Sequence, residues 1–282
     1  MTEELQKHLE DMVARMPAFP ASVERVMHLT SDLGCSAREL VQVIEHDPVM
    51  TLKILRMLNS AYFSLPRKIT SIHQSVVYLG LNTIKNLSLS IATLGILPKN
   101  NSSGFNTRTY LKHSLSTAAI ARLLNQKFNH KDFDGSDCFV GGLLHDIGKV
   151  VYAQFNPEDY ARIVGLSESD EIAMFRAEQR LVGADHSLLG AMLGERWNFP
   201  LTLVECIGGH HETEKIGNEM RDSVIAANQI SKVLGDSKPI CAMDTQLPDV
   251  VADRFGMGLN DLIDYLGDFQ VHLDSASANA GL

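Results

Sequence analysis

Cysteine is scarce in this chain of 282 residues, which contains four: Cys35, Cys138, Cys206 and Cys241. No two of them form a C-x-x-C pair, and their spacing does not suggest a disulfide framework. Sparse, unpaired cysteines are typical of reduced proteins of the cytosol. We therefore expect a cytoplasmic protein in which cysteine is neither a metal ligand nor a nucleophile.

Long apolar runs and an excess of basic residues are also missing. The most apolar stretch, LSLSIATLGIL, is too short and too rich in serine and threonine to span a bilayer, and the N-terminal MTEELQKHLEDMVARMP lacks the features of a signal peptide. The chain has 25 Lys and Arg against 34 Asp and Glu, a formal charge of −9. Such an acidic chain gains nothing from a phosphate backbone, so we expect neither nucleic acid nor a membrane as a partner.

Strand-like alternation of useful length is missing too, whereas helical periodicity runs along nearly the whole chain. Local signals mark several helix ends. Asp47 precedes Pro48 as an N-cap before one helix, and Gly80 closes another. Further helices are expected over residues 107–128 and around residues 170–181. We therefore predict an all-α protein.

The stretch PKNNSSGFNT, residues 98–107, is the best linker in the sequence because turn-forming residues are concentrated there. It predicts a two-lobed helical bundle whose lobes meet near these residues. The N-terminal helical lobe is expected to span residues 1–104, and a lobe with a metal site residues 105–240. Residues 241–282 are expected to add C-terminal helices and a flexible tail, DSASANAGL.

Histidine is where the sequence departs from an ordinary helical protein. The chain has 11 histidines, and five of them lie in mostly apolar, helix-rich segments: His113, His145, His186, His210 and His211. Any one of these alone is more readily explained as a hydrogen-bonded histidine of the core or the surface. Together with Asp146, however, they form the set of neutral imidazoles and a carboxylate that binds divalent Zn, Fe, Mn, Co or Ni.

The stretch GLLHDIGKV places an imidazole and a carboxylate side by side in an apolar run, and burying both is costly unless each has a partner. If the chain bends at His145 and Asp146, the pair can bind one metal with histidines from separate helices, as in metal sites of helix bundles. Lys149 follows His145 by four residues, near the same helix face. It either meets an anionic ligand such as a phosphate or is a surface lysine whose charge extends into water.

The order of these residues resembles the HD superfamily of metal-dependent phosphohydrolases. That pattern is a histidine, a His-Asp pair, further histidines and a final aspartate. The segment of the final aspartate reads SVIAANQISKVLG, in which Asn228 takes the corresponding position, while Asp222 is off that helix face. The chain also resembles the HD-GYP cyclic di-GMP phosphodiesterases at HDIGK and HHE, but TEKIGNEM follows HHE in place of the Gly-Tyr-Pro segment.

The N-terminal half narrows the resemblance to the HDOD domain, the output-domain branch of that superfamily. MPAFP and then IEHDPVMTLKILRMLNSAYFSLPRKITSIHQSVVYLG match it in order and spacing, and the likeness covers roughly residues 15–235. It implies a bacterial signal-transduction protein with an HD-domain-like C-terminal lobe. It also implies a pocket for one or two ions of Fe, Mn, Zn, Ni or Co, held by His113, His145, Asp146, His186, His210, His211 and Asn228.

Three functions remain open. In a phosphohydrolase, the metal at Asp146 would activate a water to attack phosphorus, and Lys149 would offset charge on the phosphoryl oxygens. In a regulator, metal or nucleotide binding would stabilise one arrangement of the lobes, and partners would read the surface. In a structural core, the polar cluster would be a hydrogen-bonded network. Because Asn228 is a poorer ligand than aspartate, we favour a regulator with weak catalysis or none, and expect signalling proteins and a phosphate-containing small molecule as its partners.

Overall fold

The computed structural model describes residues 2–31, 36–59, 65, 67–97, 103–128, 132–214, 217–234 and 246–267. All regular secondary structure in these ranges is α-helix, so the prediction of an all-α protein is confirmed. No helix within them is long and apolar enough to cross a bilayer.

The helices are α1 (Glu3–Ala14), α2 (Ala21–Ser31), α3 (Ala37–Glu45), α4 (Pro48–Leu58), α5 (Ile72–Gly95), α6 (Thr107–Phe128), α7 (Gly135–Leu144), α8 (Ile147–Phe155), α9 (Pro157–Ser169), α10 (Met174–Leu181), α11 (His186–Arg196), α12 (Leu201–Gly209), α13 (Glu219–Leu234), α14 (Asp249–Phe255) and α15 (Leu259–Leu266).

The predicted helix signals act as expected at two places. The Asp47 carboxylate accepts hydrogen bonds from the backbone N–H groups of Val49 and Met50, at 3.1 and 2.9 Å, and Pro48 occupies the first turn of α4. Gly80 interrupts α5 with φ 82° and ψ 165°, a conformation that glycine adopts without the steric cost of a Cβ. Two helical segments therefore meet at Gly80.

One predicted helix is correct along its whole length and another is wrong at its start. The helix α6 covers residues 107–128 as predicted. The helix expected around residues 170–181 begins only at Met174. Asp170 instead caps the end of α9, and Glu171 has φ 52°, a left-handed conformation that interrupts the helical path.

The described residues fall into two compact units, which we treat separately. One contains residues 18–97, where α5 packs against α2, α3 and α4. The other contains Met1–Pro17 and Pro98–Gly267. Residues 98–102 of the predicted linker and the predicted flexible tail lie outside the described ranges.

The second unit has two features that the proposed division of the chain did not anticipate. We assigned α1 to an N-terminal lobe of residues 1–104, but it packs against α8 and α11 of the second unit. We assigned residues 241–282 to a separate segment, but α14 packs against α13, and α15 packs against α13 and α6. The buried side chains of α1 and α15 therefore belong to the core that surrounds the histidines.

Two glycines allow the helices of this unit to approach closely. An added Cβ at Gly142 would lie 2.7 Å from the Cα of Ala118, so α7 lies directly against the backbone of α6. An added Cβ at Gly148 would overlap the carbonyl oxygen of His186, so α8 lies directly against the start of α11. These contacts bring together the ends of helices that carry the histidines.

Candidate metal centre

The His-Asp pair lies in a bend between two helices, the arrangement that would let both side chains reach one metal. The helix α7 ends at Leu144 and α8 begins at Ile147, so His145 and Asp146 occupy the bend between them. Their relative exposures are 0% and 2%, which places both side chains in the core. No loop separates the two helices, so the bend consists of these two residues alone. Their side chains point to the same side, with Nε2 of His145 lying 3.5 Å from Oδ2 of Asp146.

Four imidazoles converge on the Asp146 carboxylate. The Nε2 atoms of His113 and His145 lie 3.6 and 3.5 Å from its Oδ2 atom. The Nε2 atoms of His186 and His210 lie 3.0 and 3.7 Å from its Oδ1 atom. The four histidines come from α6, the α7–α8 bend, the start of α11 and the end of α12, so the sequence-predicted residues are brought together by four separate elements.

Two of these imidazoles have their orientation fixed by backbone carbonyls. The Nδ1 of His145 donates to the Gly142 carbonyl at 2.8 Å, and the Nδ1 of His210 donates to the Ile207 carbonyl at 2.7 Å. A neutral imidazole that donates from Nδ1 has a lone pair at Nε2. Both Nε2 atoms are buried and have no hydrogen-bond partner in the described structure. They are therefore acceptors that face the centre of the cluster.

The other two imidazoles are held by side chains. The Nδ1 of His113 lies 3.2 Å from the Ser231 hydroxyl of α13. The Nδ1 of His186 lies 2.6 Å from Oε2 of Glu178, and the same oxygen accepts the backbone N–H of His186 at 2.7 Å. Sequence analysis missed Glu178. It precedes His186 by eight residues across a turn, and no helical periodicity connects the two positions.

His211 lies beside the other histidines and is supported differently. Its Nε2 lies 3.0 Å from Nε2 of His186, and its ring stacks on Phe175 with a centroid distance of 4.2 Å and an interplanar angle of 17°. His186, His210 and His211 form one group whose ligand atoms are close enough to share an ion. His113, His145 and Asp146 form a second such group. His210 and His211, both of which the sequence analysis named as candidate ligands, therefore lie in the cluster.

The geometry of the cluster fits a divalent metal. Ligand atoms bound about 2.1 Å from one ion lie roughly 3.0–3.4 Å apart, depending on the coordination geometry. Of the Nε2–carboxylate distances around Asp146, that of His186 lies in this range at 3.0 Å, and the other three, 3.5–3.7 Å, are slightly longer. A purely hydrogen-bonded core would leave the Nε2 lone pairs of His145 and His210 buried without donors, at a cost of about 1–3 kcal/mol each. A cation bound in each group of candidate ligands would satisfy them.

The Asp146 carboxylate has a counter-ion on its own helix. Nζ of Lys149 lies 2.6 Å from Oδ2 of Asp146. Burial alone raises the pKa of Asp146, but the Lys149 ammonium and the hydrogen bond with His186 outweigh burial, and the pKa lies well below its usual range. Asp146 is therefore an anion. Sequence analysis left Lys149 open between an anionic ligand and the surface, and in this structure its partner is Asp146.

Burial decides the protonation of most of these histidines. It lowers the pKa of His113 to about 4 and holds that of His145 well below its usual range, so both rings are neutral, as a metal ligand must be. His186 differs. Burial again lowers its pKa, but the Glu178 carboxylate outweighs burial, and the pKa rises to about 9, so a metal that bound Nε2 of this ring would displace a proton from it.

Asn228 is buried on α13, three residues before the Ser231 that contacts His113. Its Oδ1 atom has no hydrogen-bond partner in the described part of the chain. Asp222, the nearest acidic alternative on this helix, is engaged elsewhere, because its carboxylate accepts a hydrogen bond from Nε of Arg254 at 2.6 Å. Coordination by Asn228 stays a prediction.

Neither of the two cysteines in the described ranges belongs to a group of candidate ligands. Cys138 and Cys206 are buried and form no disulfide. Burial raises the pKa of Cys138 to about 12, so its thiol is protonated at neutral pH. Cys35 and Cys241 lie outside the described residues.

Comparisons with known proteins agree with the fold. The profile of the HDOD domain matches residues 16–213. An HDOD domain protein of unknown function from Geobacter sulfurreducens has a TM-score of 0.77 at 24% identity, over 98% of this chain and 97% of its own. A Marinobacter aquaeolei VT8 protein, named provisionally for signal transduction, has a TM-score of 0.76 at 20% identity, over 98% of this chain and 65% of its own. A Shewanella amazonensis SB2B protein, named provisionally as a metal-dependent phosphohydrolase, has a TM-score of 0.68 at 20% identity, over 98% of this chain and 96% of its own.

Among curated proteins, the chain is 22% identical over 241 residues to an uncharacterised protein of Treponema pallidum strain Nichols. The matched region is 84% of this chain and 46% of that relative. The chain therefore spans about half the length of this relative.

Proposed function

Because the chain belongs to the HDOD domain family, we propose that it is a bacterial signal-transduction protein whose pocket binds one or two divalent transition-metal ions, with weak catalysis or none. The observation that carries the metal site is the pair of buried Nε2 atoms on His145 and His210. Each ring donates from Nδ1 to a backbone carbonyl, so each Nε2 offers a lone pair toward Asp146. The resemblance to metal-dependent phosphohydrolases agrees with this assignment.

The residues that would hold the metal are those around the carboxylate: His113, His145, Asp146, His186, His210 and His211, with Asn228 as a further candidate. A bound divalent ion would act as a Lewis acid and lower the pKa of a coordinated water. The preference for Fe, Mn, Zn, Ni or Co follows from a ligand set dominated by neutral imidazole. Hard oxygen-seeking ions such as Mg²⁺ suit this set less well.

A regulatory role is supported by the weakness of the site as a hydrolytic centre. The position of the final aspartate in the HD pattern carries Asn228, whose neutral amide compensates less of a metal's charge than a carboxylate does. Regulation then requires only that metal or ligand binding stabilises one conformation over another, which partner proteins recognise. The Marinobacter protein with the same fold carries a signalling name, in agreement with this role.

The direct test is elemental analysis of protein purified without chelator and without a metal-binding tag. We expect one or two equivalents of Fe, Mn, Zn, Ni or Co per chain, or the uptake of such an ion after incubation followed by gel filtration. Protein that contains no transition metal and takes up none under these conditions contradicts the proposal. The hydrogen-bonded core would then be the better explanation of the cluster.

A phosphohydrolase is the second candidate, and the exposure of two residues favours it. The side chains of His113 and Lys149 are 22% and 19% exposed, whereas those of His145 and His210 are fully buried. The cluster is therefore reachable from one side. A phosphoryl group that entered there would meet the Lys149 ammonium, which would offset charge on its oxygens.

Substitution of Asn228 by aspartate separates the two candidates. If the amide leaves a metal position with too few charged ligands, N228D should bind metal more tightly, because each charge-assisted contact contributes on the order of 1.5–3 kcal/mol. That corresponds to roughly a tenfold to hundredfold lower Kd. Metal titrations and a screen of phosphomonoesters and phosphodiesters would be run on both forms.

The control for this substitution is N198D, which adds the same charge at an exposed position of the same unit. We expect wild-type metal affinity in N198D and little or no turnover in the wild type. Unchanged metal affinity in N228D would show that residue 228 does not face the metal. Robust metal-dependent turnover by the wild-type protein would replace the regulatory proposal with the hydrolytic one.

A further inference from the structure

The four histidines around Asp146 are not supported equally. The Nδ1 atoms of His145 and His210 donate to neutral backbone carbonyls, and that of His113 lies against a hydroxyl. Only the Nδ1 of His186, among these four described rings, donates to a carboxylate, that of Glu178. A carboxylate withdraws the Nδ1 proton more strongly than a carbonyl does, and so makes the opposite ring nitrogen a stronger donor to a metal.

Glu178 is placed where a charge is expensive. Its relative exposure is 0%, and its second oxygen, Oε1, has no hydrogen-bond partner in the described structure. A buried carboxylate in this state destabilises the fold unless something compensates its charge. The imidazole of His186 is the nearest compensating group, at 2.6 Å. We take this cost as the first indication that Glu178 serves the cluster.

His186 is also the ring through which Glu178 can influence both groups of candidate ligands. Its Nε2 lies 3.0 Å from Oδ1 of Asp146 and 3.0 Å from Nε2 of His211. It therefore contacts both groups of candidate ligands. The helix that carries Glu178 also carries Phe175, whose ring stacks on His211. One short helix, α10, thus contacts both His186 and His211.

A simpler role for Glu178 is to cap the start of α11, since its Oε2 also accepts the backbone N–H of His186. Capping requires an acceptor and no charge. Glutamine has the same shape and offers a carbonyl oxygen that can accept both hydrogen bonds. The two roles therefore predict different results for the same substitution.

We propose that Glu178 is a positioning residue of the metal centre, which orients His186 and increases its donor strength toward the ion. This inference rests on the proposed metal site and adds a residue outside the set of ligands. Removing the carboxylate partner of a metal-bound histidine typically lowers metal affinity about 10–100-fold, and we expect that loss here.

The experiment is a titration of the metal-free 282-residue chain with Co²⁺, followed by visible absorbance and calorimetry. We expect E178Q to retain the helical circular dichroism of the wild type, to bind Co²⁺ about 10–100-fold more weakly and to show shifted d–d bands. The matched control is E195Q, which makes the same change at an exposed glutamate of α11. We expect its affinity and spectrum to equal those of the wild type.

The outcomes are distinguishable. A wild-type Co²⁺ affinity and spectrum in E178Q would overturn the inference and leave Glu178 as a helix cap, while the metal site stands. Failure of the wild-type protein to bind Co²⁺ at all would overturn the proposed metal site. If E178Q does not fold, E178D decides, because it keeps the charge and shortens the reach. Weaker Co²⁺ binding by folded E178D supports positioning, and unchanged binding contradicts it.

Discussion

Replacing Asp146 with asparagine should abolish the stabilisation of the protein by metal. Asp146 is the one carboxylate in either group of described candidate ligands, and the Nε2 atoms of four histidines surround it. Metal present at about 100 times its Kd stabilises a folded protein by about 2.7 kcal/mol, which raises the Tm of a unit of this size by about 5–10 °C. We expect this shift in the wild type and not in D146N, measured by thermal unfolding with and without metal.

The matched control is D159N, which makes the same substitution in a partly exposed ion pair of the same unit. Asp159 lies 2.8 Å from Arg162, the two side chains are 33% and 66% exposed, and ion pairs so near the surface contribute little to stability. The metal-induced shift should therefore persist in D159N. Stoichiometric metal binding by D146N would contradict the assignment of Asp146. We expect H145A, which removes the neighbouring ligand, to lose the metal-induced rise in Tm as D146N does.

Replacing Gly148 with alanine should give the largest loss of stability of any single methyl addition near the site. The added Cβ would overlap the carbonyl oxygen of His186, which is backbone and cannot rotate away. The helices α8 and α11 must then separate. Forcing extra atoms into a packed core costs about 1–3 kcal/mol and sometimes more, and a backbone neighbour places this case at the upper end. We expect a Tm lower by about 6–12 °C in chelator, and weaker metal binding because His186 is displaced.

Gly165 provides the control, because it lies in the helix α9 and an alanine Cβ there would meet nothing within 4 Å. Alanine is favoured over glycine inside a helix by about 1 kcal/mol, so G165A should equal or exceed the wild type in stability. Chemical denaturation of the three proteins tests both statements. A G148A protein as stable as G165A would mean that α8 and α11 are not packed as closely as described.

Local sequence signals were sufficient for several helix ends. The N-cap at Asp47 and Pro48 and the helix break at Gly80 depend only on residues a few positions away. Both can therefore be predicted without knowledge of the rest of the chain. The error at residues 170–173 has the same local character. Glu171 adopts a left-handed conformation there, and no sequence rule requires this of a glutamate.

Glu178 and Lys149 show what could not be read from the sequence. The contact of Glu178 with His186 crosses a turn between two helices, and the choice of Asp146 as the partner of Lys149 depends on which side chains share the bend. Hydrogen bonds between side chains require positions fixed to a fraction of an ångström. Periodicity gives the face of a helix and not the distance to the next one.

The sequence by itself determined an all-α chain, the identities of the histidines and the aspartate that meet, and the family to which the pattern points. Those results depend on residue type, spacing and local backbone preference. Tertiary structure decided that four Nε2 atoms face one carboxylate, that Glu178 supports His186, and that α1 packs beside α8 and α11. These depend on how closely helices approach, which glycines such as Gly142 and Gly148 set through contacts with distant parts of the chain.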